Sequence, residues 1–291
     1  MLTRIAPTPS GYLHMGNVLS FALTAAIAEQ AGARILLRID DMDRERVNPL
    51  YVQDVFDTLN FLEIPWHAGP HNAQEFEAEW SQRHRLELYQ QVLQQLQQQG
   101  KVFACNCSRA QIRDMSGSDI YPGTCCRQSI ELNEPYTSWR LQTEKGGSLK
   151  VLNYPEGITL SELPADMQYF VVKKKDGYPA YQLSSVIDDL HFGVNLIVRG
   201  QDLWPSTLAQ QYLAGELGAT AFQQIRFYHH GLLITGEGQK LSKSAGATSV
   251  NYMRRQGKTP TDVYTQIGAL LGGKERISTW QQLAQVVLSN R

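Results

Sequence analysis

The sequence predicts an α/β fold built on a parallel sheet, and three observations predict it. The first hundred residues alternate short apolar strands with helices, beginning with LTRIA (2–6), a helix over about 15–30 and a second strand, ARILLRID (33–40). A helical crossover between consecutive strands implies parallel pairing, because a tight hairpin would return the chain antiparallel. The same alternation resumes near residue 179 after a middle stretch of different character. That middle stretch opens with all four cysteines, between Cys105 and Cys126, and continues as short strands joined by turns.

Each element has its own signal. VLSFALTAAIAEQAG is apolar at helical spacing and closes on Gly32, a helix stop. A helix follows over about 50–62, and a long Gln-rich helix is expected from about 81 to 99. Residues 101–126 break the pattern, and SWRLQ, SLKVLNY and MQYFVVKK between about 136 and 175 mark an inserted α+β piece. YQLSSVIDDL then reads as helix and VNLIVRG as a strand ending on Arg199 and Gly200. PSTLAQQYLAGELG is a helix that starts at a proline and closes on Gly218. FYHHGLLI is strand-like and runs into the glycine-flanked loop TGEGQKLSKSAG, and helices near 260–271 and 278–289 follow.

Bulk properties narrow the class. The chain has 291 residues, 42% apolar and 19% charged, with a formal net charge of −1. That is room for one large domain or two ordinary ones, and it carries no global basic signature of nucleic-acid binding. Local basic runs, KKKDG (173–177) and MRRQGK (253–258), read first as solvated faces. No apolar run approaches the ~20 residues that cross a bilayer, and the first strand leaves no room for a signal peptide. The expectation is a cytoplasmic protein with neither a membrane nor a DNA partner. Cysteines clustered in one window of such a chain suggest metal or redox chemistry rather than a disulfide framework.

Two loops carry the chemistry. In PSGYLHMGN (9–17), His14, Gly16 and Asn17 fall where the first strand hands over to the first helix. Free backbone N–H groups and the helix dipole favour an anion there, although Gly and Asn also suit an ordinary turn. In GEGQKLSKSAG, Lys240 and Lys243 are interleaved with Ser242 and Ser244. Ammonium and hydroxyl groups on a loop suit a polyphosphate whose charge grows during transfer. The Walker-type spacing is absent.

HxGN after the first strand paired with KLSKS after a late one resembles the signature of class I aminoacyl-tRNA synthetases. RIAPTPSGYLHMGN (4–17), RIDDMDRER (38–46), YQLSSVIDDLHFGVNLIVRGQDL (181–203) and KLSKS (240–244) resemble the glutamyl-tRNA synthetase group, in that order and at similar spacing. The resemblance implies a Rossmann-like class I catalytic domain. Residues 1–100 would form its first half, 101–130 a zinc-binding insertion, 131–178 an α+β insertion, 179–245 the second half and 246–291 a short helical C-terminal segment. It implies activation of glutamate with ATP to glutamyl-adenylate and pyrophosphate, then transfer to an RNA acceptor, with Mg²⁺ accompanying ATP. His14, Asn17, Lys240 and Lys243 would be catalytic. His14, Gly16, Asn17 and Lys243 would bind ATP, with Gly16 letting adenine pack against the backbone.

Glutamate carries two carboxylates and an ammonium, so its pocket needs cations and an anion. Arg4 and Arg199 suit the carboxylates, since guanidinium forks bind them bidentately. Ser10 and Tyr181 add hydroxyl groups, and Ile5, Ala6, Pro7 and Thr8 line the same strand end. The group's usual R-[IV]-E-D places a glutamate at the substrate ammonium, whereas this chain has Asp40, one methylene shorter. That leaves open whether Asp40 approaches the substrate differently or acts through water. Cys105-x-Cys107 and Tyr121-x-x-x-Cys125 fall where the group carries a zinc-binding insertion, with Cys126 or water as alternatives to Tyr121. The C-x-C…Y-x-x-x-C arrangement, and the few residues after Ser244, are similar to the glutamyl-Q-tRNA(Asp) synthetases. The acceptor expected from that resemblance is queuosine in tRNA(Asp). A ligase of the same fold with another acceptor, and a non-catalytic tRNA- or partner-binding paralogue, are the alternatives.

Overall fold

The computed structural model describes residues 1–233 and 249–289. They fold as two compact units, one built from residues 1–84, 196–201 and 228–291, the other from 85–195 and 202–227.

In the first unit, β1 (Leu2–Ile5) runs parallel to β2 (Arg34–Leu37), with Leu2 opposite Arg34 and Ile5 opposite Leu37. The crossover is α1 (Met15–Gln30), as the apolar spacing predicts. It is buried almost all round because β1, β2, β8 (Leu196–Gly200) and the C-terminal helices pack against different faces of it. Val18, Leu23, Ile27, Ile35, Leu37 and Ile197 form the centre of this core. Past β2 the chain stays extended, with Arg38 and Asp40 donating main-chain N–H bonds to Ile5 and Pro7. Gly69, at φ +97°, lies so close to this strand that a Cβ there would fall 2.2 Å from the Leu37 carbonyl oxygen. Helix α2 (Pro49–Phe61) begins at an Asn48 cap and turns Val52, Val55, Phe56 and Leu59 inward.

The Gln-rich helix starts later than its sequence suggests. A short turn α3 (Ala73–Glu75) runs through a π-helical turn (Phe76–Trp80) and a 3₁₀ turn (Gln82–Arg85) before α4 (Leu86–Gln98). The cause is Asp41, fully buried, whose carboxylate accepts from Ser81 Oγ at 2.6 Å and Gln82 N at 2.8 Å. These long-range bonds take up the Gln82 N–H and the Ser81 hydroxyl, while Ser81 N keeps its bond to the Phe76 carbonyl at 2.8 Å.

In the second unit β3 (Val102–Cys105), β4 (Ser138–Leu141) and β7 (Val171–Lys173) form an antiparallel sheet. A capped helix α5 (Arg109–Ser116) and a 3₁₀ turn (Thr124–Arg127) follow β3. β5 (Ser148–Asn153) and β6 (Ile158–Glu162) make a hairpin. Helices α6 (Tyr181–His191), α7 (Trp204–Glu216) and α8 (Thr220–Gln223) pack together. A buried ion pair holds α4 to α6, with Arg85 Nε 2.8 Å from Asp188 Oδ1 and Tyr89 Oη donating to the same oxygen at 2.6 Å. Strand β9 (Arg226–His230) starts in this unit, parallel to β5, and ends in the first.

The first unit closes with α9 (Val250–Arg255), α10 (Pro260–Leu270) and α11 (Trp280–Leu288). Among the described residues no helix is long and apolar enough to cross a membrane.

Candidate active site and metal centre

The corner after β1 is organised around the α1 N-terminus. His14 is the N-cap: its Nδ1 accepts from Gly16 N at 3.1 Å, and Asn17 Oδ1 accepts from His14 N at 3.1 Å. The two side chains thus satisfy helix-end N–H groups reciprocally. Because Nδ1 is an acceptor, the neutral ring carries its proton on Nε2, the nitrogen able to donate to an anion. No acidic residue occupies the first turn, so the positive end of the helix is not neutralised by its own side chains. Gly16 has a local reason as well, since a Cβ there would come 2.9 Å from His14 Cε1.

This corner is pinned by α2 and α9. Leu13 N donates to Asp54 Oδ2 at 3.0 Å, and the same carboxylate accepts from Arg254 Nη2 at 2.6 Å and Asn251 Nδ2 at 3.3 Å. An antiparallel bridge pairs His14 with Ser249, and Val250 N donates to the Leu13 carbonyl at 2.8 Å. Ser249 is the first described residue after 234–248. Lys240 and Lys243 lie outside the described residues. Nothing in the sequence near Asp54 marks this hub, since a polar residue on a helix face usually points outward.

Behind the corner lie two buried arginines. Arg4 on β1 donates from Nη1 to the Val198 carbonyl at 3.5 Å, one residue from Arg199 on β8. Beside Arg199, His229 is pushed down to about 3, by burial first and then by the charges of Arg199 and His230. Asp40 is held in a bidentate fork by Arg38, with Nε to Oδ1 at 2.7 Å and Nη2 to Oδ2 at 3.0 Å, both residues buried. The sequence reading singled out Asp40 and missed Arg38, although spacing by two along an extended strand puts both on one face. Ile5 and Pro7 are buried, Ala6, Thr8 and Ser10 half-buried, and Ser10 N closes a turn onto the Thr8 carbonyl. Tyr181 belongs to the other unit, where it opens α6 and is exposed.

The second unit holds a thiol cluster. Cys105 ends β3, Cys107 follows in the next turn and Cys125 sits in the 3₁₀ turn. Their sulfurs all lie within 4.8 Å of one another, and Cys107 and Cys125 are 3.5 Å apart. Zinc–thiolate bonds of about 2.3 Å in a tetrahedron separate sulfurs by about 3.8 Å, so the cluster is compatible with zinc. Cys126, half-buried, lies outside this group, whereas Tyr121 Oη accepts the Cys125 N–H at 2.8 Å. Crowding of the thiols shows in their acidities. Burial, followed by its hydrogen bond to Cys125, pushes Cys107 up to about 12. Burial also raises Cys105, but Arg140 and Tyr121 outweigh it and leave that thiol below its ordinary value.

A parallel β-α-β frame whose helix is capped by His14 and Asn17 fits the catalytic domain of a class I synthetase. The chain belongs to the family described as tRNA synthetases class I (E and Q), catalytic domain, which it matches over residues 1–287. It is 34% identical over 285 residues to the glutamyl-Q tRNA(Asp) synthetase of Symbiobacterium thermophilum, covering 92% of this chain and 86% of that protein. The glutamyl-Q tRNA(Asp) synthetase of Nitratidesulfovibrio vulgaris is 31% identical over 286 residues, with the same coverage. The crystal structure of glutamate-tRNA synthetase from Elizabethkingia anophelis shares the fold, with a TM-score of 0.74 at 20% identity. The superposition covers 98% of this chain but only 65% of that one, just under two thirds.

Proposed function

We propose that this chain activates glutamate with ATP and transfers it to the queuosine base of tRNA(Asp). A glutamate carboxylate oxygen attacks the α-phosphorus of ATP, pyrophosphate leaves, and glutamyl-adenylate forms. A hydroxyl of the queuosine cyclopentenediol then attacks the activated carbonyl and AMP leaves. Neither step needs a strong base on the protein; both need positioning and stabilisation of charge on phosphate oxygens.

The observation that carries the reading is the pinned corner. His14 and Asn17 are fixed in the cap of a helix whose first turn holds no acidic residue, and Ser249 pairs with His14. In this reading His14 and Asn17 contact ATP, Gly16 lets the adenine pack against the backbone, Mg²⁺ is the nucleotide's counter-ion, Lys243 stabilises the phosphates and Lys240 assists it. Arg4 and Arg199 take the glutamate carboxylates, Asp40 takes the ammonium, and Ser10 and the main chain of residues 5–8 complete the pocket. The acceptor is supported by the relatives, which are similar along most of their own length. Cys105, Cys107, Cys125 and Tyr121 hold one structural zinc ion, which cross-links the ends of the insertion and takes no part in the chemistry.

Glutamate-dependent ATP–pyrophosphate exchange in the absence of tRNA tests the first step, and a failure of every amino acid to support exchange would end the enzyme reading. Labelled glutamate should then charge queuosine-containing tRNA(Asp) and leave the unmodified transcript bare. Equal charging of the two would overturn the acceptor.

A further inference from the structure

We propose that Arg140 is the built-in counter-charge of the cysteine–tyrosine metal site, and that its position lets Tyr121 serve beside three thiolates. This rests on the zinc reading above.

The register of β3 against β4 places Phe103 opposite Arg140 and Cys105 opposite Ser138. Alternation along a strand then puts Cys105, Phe103, Ser138 and Arg140 on one face of the sheet, with Cys105 and Arg140 as diagonal neighbours. From that face the Arg140 guanidinium reaches over the Tyr121 ring, its Cζ 3.8 Å from the ring centroid. The side chain is about nine-tenths buried, Nη1 donates to the Tyr169 carbonyl at 2.9 Å, and Nε has no hydrogen-bond partner among the described residues. A buried, incompletely satisfied guanidinium is costly unless an anion stands near it.

The metal site would supply that anion. Three thiolates and a phenolate around a divalent ion leave an excess of two negative charges in a largely apolar pocket of Cys105, Ile112, Tyr121, Cys125, Phe103 and Tyr169. Arg140 offsets part of this excess. The Cys125 N–H already aimed at Tyr121 Oη favours the same anionic oxygen. A planar guanidinium suits the position because it stacks on the ring while its edge stays available, which an ammonium cannot do.

A double-mutant cycle tests the proposal by its effect on zinc affinity, read by competition with a chromophoric chelator. Zinc content of the wild-type chain is measured first by elemental analysis. Arg140→Met is expected to weaken zinc about 10–100-fold, the range for outer partners of metal ligands. In a Tyr121→Phe background, which keeps the ring and removes the oxygen, the same substitution should cost less than about threefold. Arg140→Lys should fall between wild type and Arg140→Met. An equal loss in both backgrounds would show packing rather than charge and overturn the inference while leaving the zinc site standing, as would no loss in either. A wild-type chain without zinc would overturn the site and this inference together.

Discussion

The His14 corner and the cysteine cluster are held together by opposite means. The corner sits on a large core. Its side chains are fixed by main-chain bonds from Gly16, His14 and Leu13, and by the buried Asp54 with its half-buried partner Arg254. The cysteine cluster has only a small group of buried residues beneath it and brings three thiol sulfurs within 4.8 Å. Removing a metal from such a cluster leaves too little apolar surface to keep it closed. The corner is therefore preorganised by folding, whereas under the zinc reading the cluster depends on its ligand. Under the proposed function, that division separates the site that binds and releases ATP from a purely structural one.

The sharpest way to break this comparison is at His14. His14→Ala should lower glutamate-dependent exchange about 10²–10³-fold, the scale for losing one aimed charge-stabilising donor. Zinc content should stay unchanged; a simultaneous loss of zinc would show that the two regions are not independent. From the other side, Cys105→Ser should abolish zinc by elemental analysis and expose residues 105–130 to limited proteolysis. The KM for ATP should move by no more than about threefold if the zinc is only structural.

Smaller effects sharpen the account of the corner. Asp54→Asn keeps the shape but removes the charge that Arg254 meets, at a cost of about 2 kcal/mol. It should lower the thermal midpoint by several degrees and raise the KM for ATP. Gly16→Ala drives a methyl group into His14 Cε1, so the ring must turn away, and the KM for ATP should rise about tenfold with little change in melting.

The smallest effect is a pH dependence. Folded His229 stays neutral down to about 3, while the unfolded chain takes up that proton near its ordinary value of 6.5. Between those values the unfolded state binds more protons, so stability rises with pH across the window and falls as the solution is acidified below 6.5. His229→Gln should reduce the drop in thermal midpoint between pH 7 and pH 5. An unchanged drop would remove His229 from the Arg199 neighbourhood.

Much of the corner was legible because its signals are local. The strand LTRIA, the helix opened by His14 and the strand RILL follow from spacing and capping within a few residues, and the structure places them at 2–5, 15–30 and 34–37. The helix expected from 81 was not, because its start depends on Asp41, forty residues earlier, capturing Ser81 and Gln82. Arg38 escaped notice for a related reason. Its partner Asp40 was read as facing substrate, and only the folded strand shows the fork between the two carboxylate oxygens and the guanidinium.

By itself, then, the sequence determined the α/β class, the order of its elements, the family and the identity of the clustered thiols. These are carried by residue type and short spacing, which act before distant parts of the chain meet. Only the tertiary structure decided that Asp54 and Arg254 pin the His14 corner, that Arg4 reaches the strand bearing Arg199, and that Arg140 lies over Tyr121. Each of those contacts joins residues that only the folded chain brings together. Neither the partner nor the burial is encoded in the local sequence around either residue.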